Sequence, residues 1–100
     1  MATTTKALAR IAAATSSTTL YTVPSATTTV VTNIVVTNSA ASAGTFTITL
    51  DGVDLFKTVA IAANTTAMFD LKQVLATTKI IAGFASAVTV SFHISGVEIA

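Results

Sequence analysis

In Thr45-Phe46-Thr47-Ile48-Thr49-Leu50, and again in Val88-Thr89-Val90-Ser91-Phe92-His93-Ile94-Ser95, large apolar and small polar residues alternate without a break. A period of two matches the pleat of a β-strand, which sends one set of side chains to a core face and the other to an outer face. Threonine fills most of the polar positions and makes up about one residue in five of the chain. Its branched Cβ suits a pleated, half-exposed surface. The pattern calls for a compact all-β protein whose outward faces carry hydroxyls in place of charge.

The rest of the composition narrows what such a protein can do. One hundred residues make one domain. A chain of this length buries roughly 60–70% of its unfolded surface and holds a core without disulfides or metal. The cysteine count is 0, which removes thiolate and redox chemistry. Only 9% of residues are charged, against the roughly 25% usual in soluble domains. The net charge of +1 comes from single, scattered groups, so no basic patch exists to grip nucleic-acid phosphate. Weak self-repulsion favours association.

Mean hydropathy is high, at +0.80. The longest apolar stretches, such as Val59-Ala60-Ile61-Ala62-Ala63, nevertheless fall far short of the ~20 residues of a spanning helix. A transmembrane barrel would show aromatic girdles, and Tyr21 is the only tyrosine in a chain without tryptophan. Arg10 interrupts the short apolar stretch after Lys6, which argues against a signal peptide. The expectation is a protein with no membrane partner.

Along the chain, residues 1–14 read as an extended N-terminal arm or edge strand, polar over Met1 to Thr5, and residues 15–100 as the sandwich domain. Residues 19–23 form a strand closed by Pro24, which cannot donate to a ladder. Residues 28–37 are apolar on both faces and read as a central strand buried on both sides. A small-residue loop follows over 38–44, then strand 45–50. Asp51-Gly52 is the pair favoured in a type I′ hairpin turn, and 53–61 returns antiparallel. Residues 67–71 make a short strand and 72–76 one irregular helical turn. Residues 79–84 and 87–99 close the fold as a pair, with a bulge expected at Gly96.

Seven or eight short strands at this spacing predict a single antiparallel β-sandwich, or a small barrel. Its expected core is Leu20, Val23, Val30, Ile34, Val36, Phe46, Ile48, Leu50, Leu55, Ile61, Phe69, Leu71, Ile80, Phe84, Val90, Phe92 and Ile94.

Little in the sequence points to catalysis. His93, the one histidine, shares a strand face with Thr89, Ser91 and Ser95, with no carboxylate to orient it. Asp51-Gly52-Val53-Asp54 holds two carboxylates at a tight turn, too few oxygens for calcium. Asn64-Thr65-Thr66 matches a glycosylation sequon, a pattern common by chance in so threonine-rich a chain. No phosphate loop, dinucleotide fingerprint or zinc spacing occurs. The expectation is a non-enzyme without catalytic, cofactor or metal sites, acting through surface shape.

Leu20-Tyr21-Thr22-Val23-Pro24, followed by the run Thr28 to Asn38, Ile61-Ala62-Ala63-Asn64-Thr65-Thr66 and the closing Val90 to Ile99, resembles small virion accessory proteins of tailed bacteriophages. The likeness covers residues 8–99 and is one of strand-and-turn rhythm. It implies a β-sandwich mounted on the phage particle, foremost as a capsid decoration (cement) protein, with no site residues to transfer. On that reading the partner is the major capsid protein, bridged on the outside of a virion assembled in the host cytoplasm. Self-association is expected, with a trimer as one form. The N-terminal segment is the candidate contact, through Thr3, Lys6, Leu8, Arg10 and Ile11. The rival readings are a tail, neck or fibre component and, in another class, a free carbohydrate-binding module. The latter is poorly provided with aromatic rings for sugar stacking.

Overall fold

The computed structural model describes residues 2–100; Met1, the first residue of the expected arm, lies outside the described residues. Eight strands follow one another: β1 (Thr3–Ala12), β2 (Thr18–Thr22), β3 (Thr28–Asn38), β4 (Gly44–Leu50), β5 (Val53–Ile61), β6 (Thr65–Leu75), β7 (Ile80–Ala85) and β8 (Val90–Ile99). They form two four-stranded antiparallel sheets, sheet A in the order β1-β8-β3-β6 and sheet B in the order β2-β7-β4-β5. The β-sandwich expected from the alternation is the fold.

The order has a simple origin. β4 pairs with β5, β3 with β6, β2 with β7 and β1 with β8. The chain is thus one long hairpin bent at Asp51-Gly52 and rolled over so that its paired strands fall alternately into two sheets. This is the eight-stranded jelly-roll arrangement. Both turn residues have positive φ, 54° at Asp51 and 74° at Gly52, as a type I′ turn requires. Only this connection stays within a sheet; the other six cross between sheets.

The core fills the space between the sheets. Phe92, Ile34, Ile94 and Val36 from sheet A meet Phe46, Ile48 and Ile81 from sheet B, all at 1% exposure or less. Phe46 is the centre of an aromatic cluster, with ring centroids 5.8 Å from Phe56, 6.1 Å from Phe69 and 6.2 Å from Phe92. Tilted and edge-on geometries suit the ring quadrupoles.

Several expectations are corrected. Of the arm and the edge strand offered for the N-terminal segment, Thr3–Ala12 take the second, so the polar Thr3, Thr4 and Thr5 are not free but pair with Ile99, Glu98 and Val97. The helical turn over 72–76 is absent: β6 runs on to Leu75, and Gln73, Val74 and Leu75 pair with Val31, Val30 and Thr29. β7 and β8 do not pair with each other; each lies in its own sheet. β3 is central, yet Val30 and Val35 are half-exposed, so only one of its faces is fully buried. Ile80 and Phe84 stand on the outer face of sheet B, in the rows of Thr22 and Thr47.

Irregularities in pairing explain the slips in face. β8 passes Gly96 without a bulge of its own. The extra residues lie on its neighbours: Leu8 interrupts the β1 register between the partners of Ser95 and Ile94, and Thr32 the β3 register between those of Gly96 and Ser95. The insertion at Thr32 puts Val31 in the core and Val30 outside. Another irregularity, between Thr19 and Tyr21, leaves Tyr21 buried and Leu20 half-buried.

Two kinds of substitution check this architecture in urea melts. Phe46→Ala is expected to cost ~3–5 kcal/mol, as a large buried cavity. Gly96→Ala places a Cβ 2.3 Å from the Val30 carbonyl oxygen and 2.9 Å from Leu8 Cδ1. Because the obstacle is backbone, a loss of about 2–3 kcal/mol is expected. Gly52→Ala meets no atom within 4 Å, and only its left-handed backbone is strained, for about 1–2 kcal/mol.

Candidate functional site

All five residues singled out for contact lie on β1, the outer edge of sheet A, and the bulge sorts them into different roles. Thr3 is exposed opposite Ile99. Lys6 reaches across to Glu98, with Nζ 3.5 Å from a carboxylate oxygen. Leu8, the inserted residue, turns inward to 7% exposure, so it belongs to the core and not to a contact surface. Arg10 is exposed in the same cross-strand row as His93 and Val35, with no acidic partner among the described residues. Ile11 shares the inward row of Phe92 and Val36, but at the sheet edge it stays 45% exposed.

The main polar cluster between the sheets is one the sequence does not announce. The Tyr21 hydroxyl, from sheet B, donates to the Glu98 carboxylate of sheet A and lies 2.8 Å from Thr29 Oγ1. Since the phenol has a single proton and gives it to Glu98, Thr29 is the donor in the second bond. Lys6 closes the cluster from β1. Four strands, β1, β2, β3 and β8, are thereby tied at one end of the sandwich. Its members are spread from residue 6 to residue 98, and no local spacing betrays them. The only sequence cue is a lone tyrosine in a strand, whose hydroxyl must find a partner if the ring is buried. Burial, and then the adjoining Glu98 carboxylate, push the Tyr21 phenol above its ordinary value.

Elsewhere the titratable groups are dispersed. Asp51 sits 3.6 Å from Lys79 and Asp54 3.7 Å from Lys57, all on the surface. Among the described residues no three His, Cys, Asp or Glu side chains converge as a metal site would need. His93 is exposed, and its register neighbours are Arg10 and Val35, neither able to orient an imidazole as a base. Asn64 occupies a turn with φ of 51° and donates its backbone N–H to Ala40. Two open grooves of about 550 and 530 Å³ meet at the bulged Thr32 on the outer face of sheet A. One is lined by Asp70, Leu71 and Lys72, the other by Thr5, Lys6, Ala7 and Ser95 to Val97. The Thr32 hydroxyl where they meet donates to the Ser95 carbonyl at 3.2 Å. Compared with known proteins, the chain matches no family model and no curated protein sequence.

The cluster around Tyr21 carries its own pH signature. A phenol whose folded pKa is raised contributes fully at neutral pH, and that contribution is lost as pH climbs through the folded value. The wild-type urea midpoint is therefore expected to fall more steeply than that of Tyr21→Phe as pH rises above about 10, the ordinary tyrosine value. At neutral pH, Tyr21→Phe should cost about 1–2 kcal/mol, because the buried Thr29 hydroxyl and the half-buried Glu98 lose the phenol as partner. Parallel alkaline profiles for the two proteins would show that the phenol is not coupled to folding.

Proposed function

We propose that this chain is a non-enzymatic structural protein of a phage virion, and that it decorates the outside of the capsid by bridging neighbouring shell subunits. The observation that carries the reading is the distribution of chemistry over a jelly-roll sandwich. Its charges are few, most are neutralised in pairs, and its outward faces are threonine, serine, alanine and valine. Such a surface is suited to contact over area, and jelly rolls recur in capsid proteins. The resemblance to virion accessory proteins over residues 8–99 points the same way.

The work required is mechanical. A copy seated across a subunit boundary adds buried area to it, and a specific interface of ordinary size buries ~1,200–2,000 Å². Arg10 at the outer edge of sheet A supplies a steering charge for an acidic surface on the shell. The rival carbohydrate-binding reading gains nothing from the aromatic side chains. Tyr21, Phe46 and Phe92 are buried, and Phe56, Phe69 and Phe84 are half-buried, so no fully exposed ring is offered for a sugar to stack upon.

The test is the copy number of the chain in purified particles of its source, by quantitative mass spectrometry. A number comparable to the major shell protein is expected. A small number would transfer the protein to tail, neck or fibre, and absence from particles would overturn the virion reading. Loaded onto heads lacking it, Arg10→Glu should reach lower occupancy than wild type at an unchanged melting temperature. Equal occupancy would remove β1 from the contact.

A further inference from the structure

Three ion pairs engage Lys6, Lys57, Lys79, Asp51, Asp54 and Glu98. Among the described residues this leaves Arg10, Asp70 and Lys72 without an oppositely charged partner. Two of these three stand on one strand, β6, at the free edge of sheet A opposite β1. Two of the five exposed large apolar side chains among the described residues lie there as well. Met68 is 77% and Val74 68% exposed, both on β6.

Parity explains how these residues are displayed. Along β6, Ala67, Phe69, Leu71 and Leu75 pack against the core, while Met68, Asp70, Lys72 and Val74 are exposed; Gln73 is exposed too, and the register with β3 shifts between Asp70 and Gln73. The outward sequence is therefore apolar, acidic, basic, apolar, and it is palindromic in character about Leu71. We propose that β6 pairs antiparallel with β6 of a second copy about a twofold axis at Leu71. The two four-stranded sheets A then join into one eight-stranded sheet.

In that register Asp70 of each copy faces Lys72 of the other, and Met68 faces Val74. Each contact occurs twice, as a twofold interface requires. The four exposed residues thus find partners of matching chemistry at directly opposed positions, where side chains interact most strongly. The unpaired N–H and C=O groups along the outer edge of β6 gain partners at the same time. Charge also selects the register. Centring the axis on residue 70 or residue 72 would set carboxylate against carboxylate or ammonium against ammonium. The same two charges that discourage promiscuous edge pairing therefore admit one self-complementary arrangement. This interface is independent of the virion reading and would form in the isolated protein.

Sedimentation equilibrium of the purified full chain tests it, with concentration raised to about 1 mM, where even weak pairing shows. Wild type is expected to be a monomer–dimer system that weakens as salt is added. Asp70→Lys and Lys72→Asp should each weaken the dimer by about tenfold or more, since each sets like charges face to face. The double variant D70K/K72D restores opposite charges across the axis and should regain wild-type affinity. Circular dichroism of all four proteins establishes that they are folded. A wild type monomeric throughout would overturn the proposal. So would a larger assembly such as a trimer, or a double variant no better than the single ones.

Discussion

The whole topology hangs on a two-residue reversal at the middle of the chain. Ala12 pairs with Ser91, Thr22 with Ile80, Asn38 with Thr65 and Leu50 with Val53, so partners stand almost equally far before and after Asp51-Gly52. A one-residue error at the turn would shift every later pairing and exchange core faces for solvent faces. Positive φ at both turn positions gives the strand twist needed for the return, and the Asp-Gly pair tolerates it. The nested order has a kinetic corollary. β4 and β5 close a two-residue loop, whereas β1 and β8 close nearly the entire chain. Pairing outward from the turn meets the loop-closure entropy in increasing steps, and β1 is the natural last strand to dock.

Sheet A is not a uniform grid, and its one crease organises the molecule around it. The irregularities at Leu8 and Thr32, with a further one where β6 passes from Gln73 to Asp70, lie level with the stretch from Ile94 to Gly96 across the sheet. Gly96 allows the close approach, since the Val30 carbonyl and Leu8 occupy the space of its missing side chain. Leu8 is brought into the core there, and the grooves of the outer face open at the same level. Sheet B has its own device at Thr58, where φ is 49° and the freed N–H is taken by Thr47 Oγ1 at 2.9 Å. Threonine thus does more than favour strands. Its hydroxyls also answer backbone groups that turns and bulges leave open, as Thr77 does for both the N–H and the C=O of Thr27.

Strand positions and the central turn were readable because they depend on local pattern. Alternation over 45–50 marks β4, and Phe46, Ile48 and Leu50 are buried as that pattern requires. The failures cluster where pairing, not pattern, sets the face. Val30 and Val31 are equivalent as sequence; an inserted residue on β3 opposite Gly96 decides between them. Lys72 to Ala76 looks broken in isolation, yet hydrogen bonds to β3 hold the segment as strand to Leu75. The residues singled out for contact are placed unevenly for the same reason. Lys6, Arg10 and Ile11 do lie at the accessible edge, but Leu8 is drawn inside by a bulge that no local signal foretells. The Tyr21–Glu98 tie escaped notice because its parts meet only when both sheets have formed.

A protein with so few charges must place each with care, and their distribution separates the parts that hold the fold from those free to meet a partner. Lys6 and Glu98 belong to the polar tie between the sheets, where Glu98 has only 14% side-chain exposure. Asp51 and Lys79 join the hairpin tip to the start of β7. Arg10 on one edge of sheet A and Asp70 with Lys72 on the other serve no such internal purpose. On an exposed strand a lone charge is also a guard against stray pairing. The two edges of sheet A differ in what they display: β1 offers the single unpaired cation Arg10, while β6 offers an ordered pair of opposite charges between two apolar residues. On the proposed β6 pairing, recognition would be a matter of edge register and sign, carried by charges that the internal ion pairs leave free.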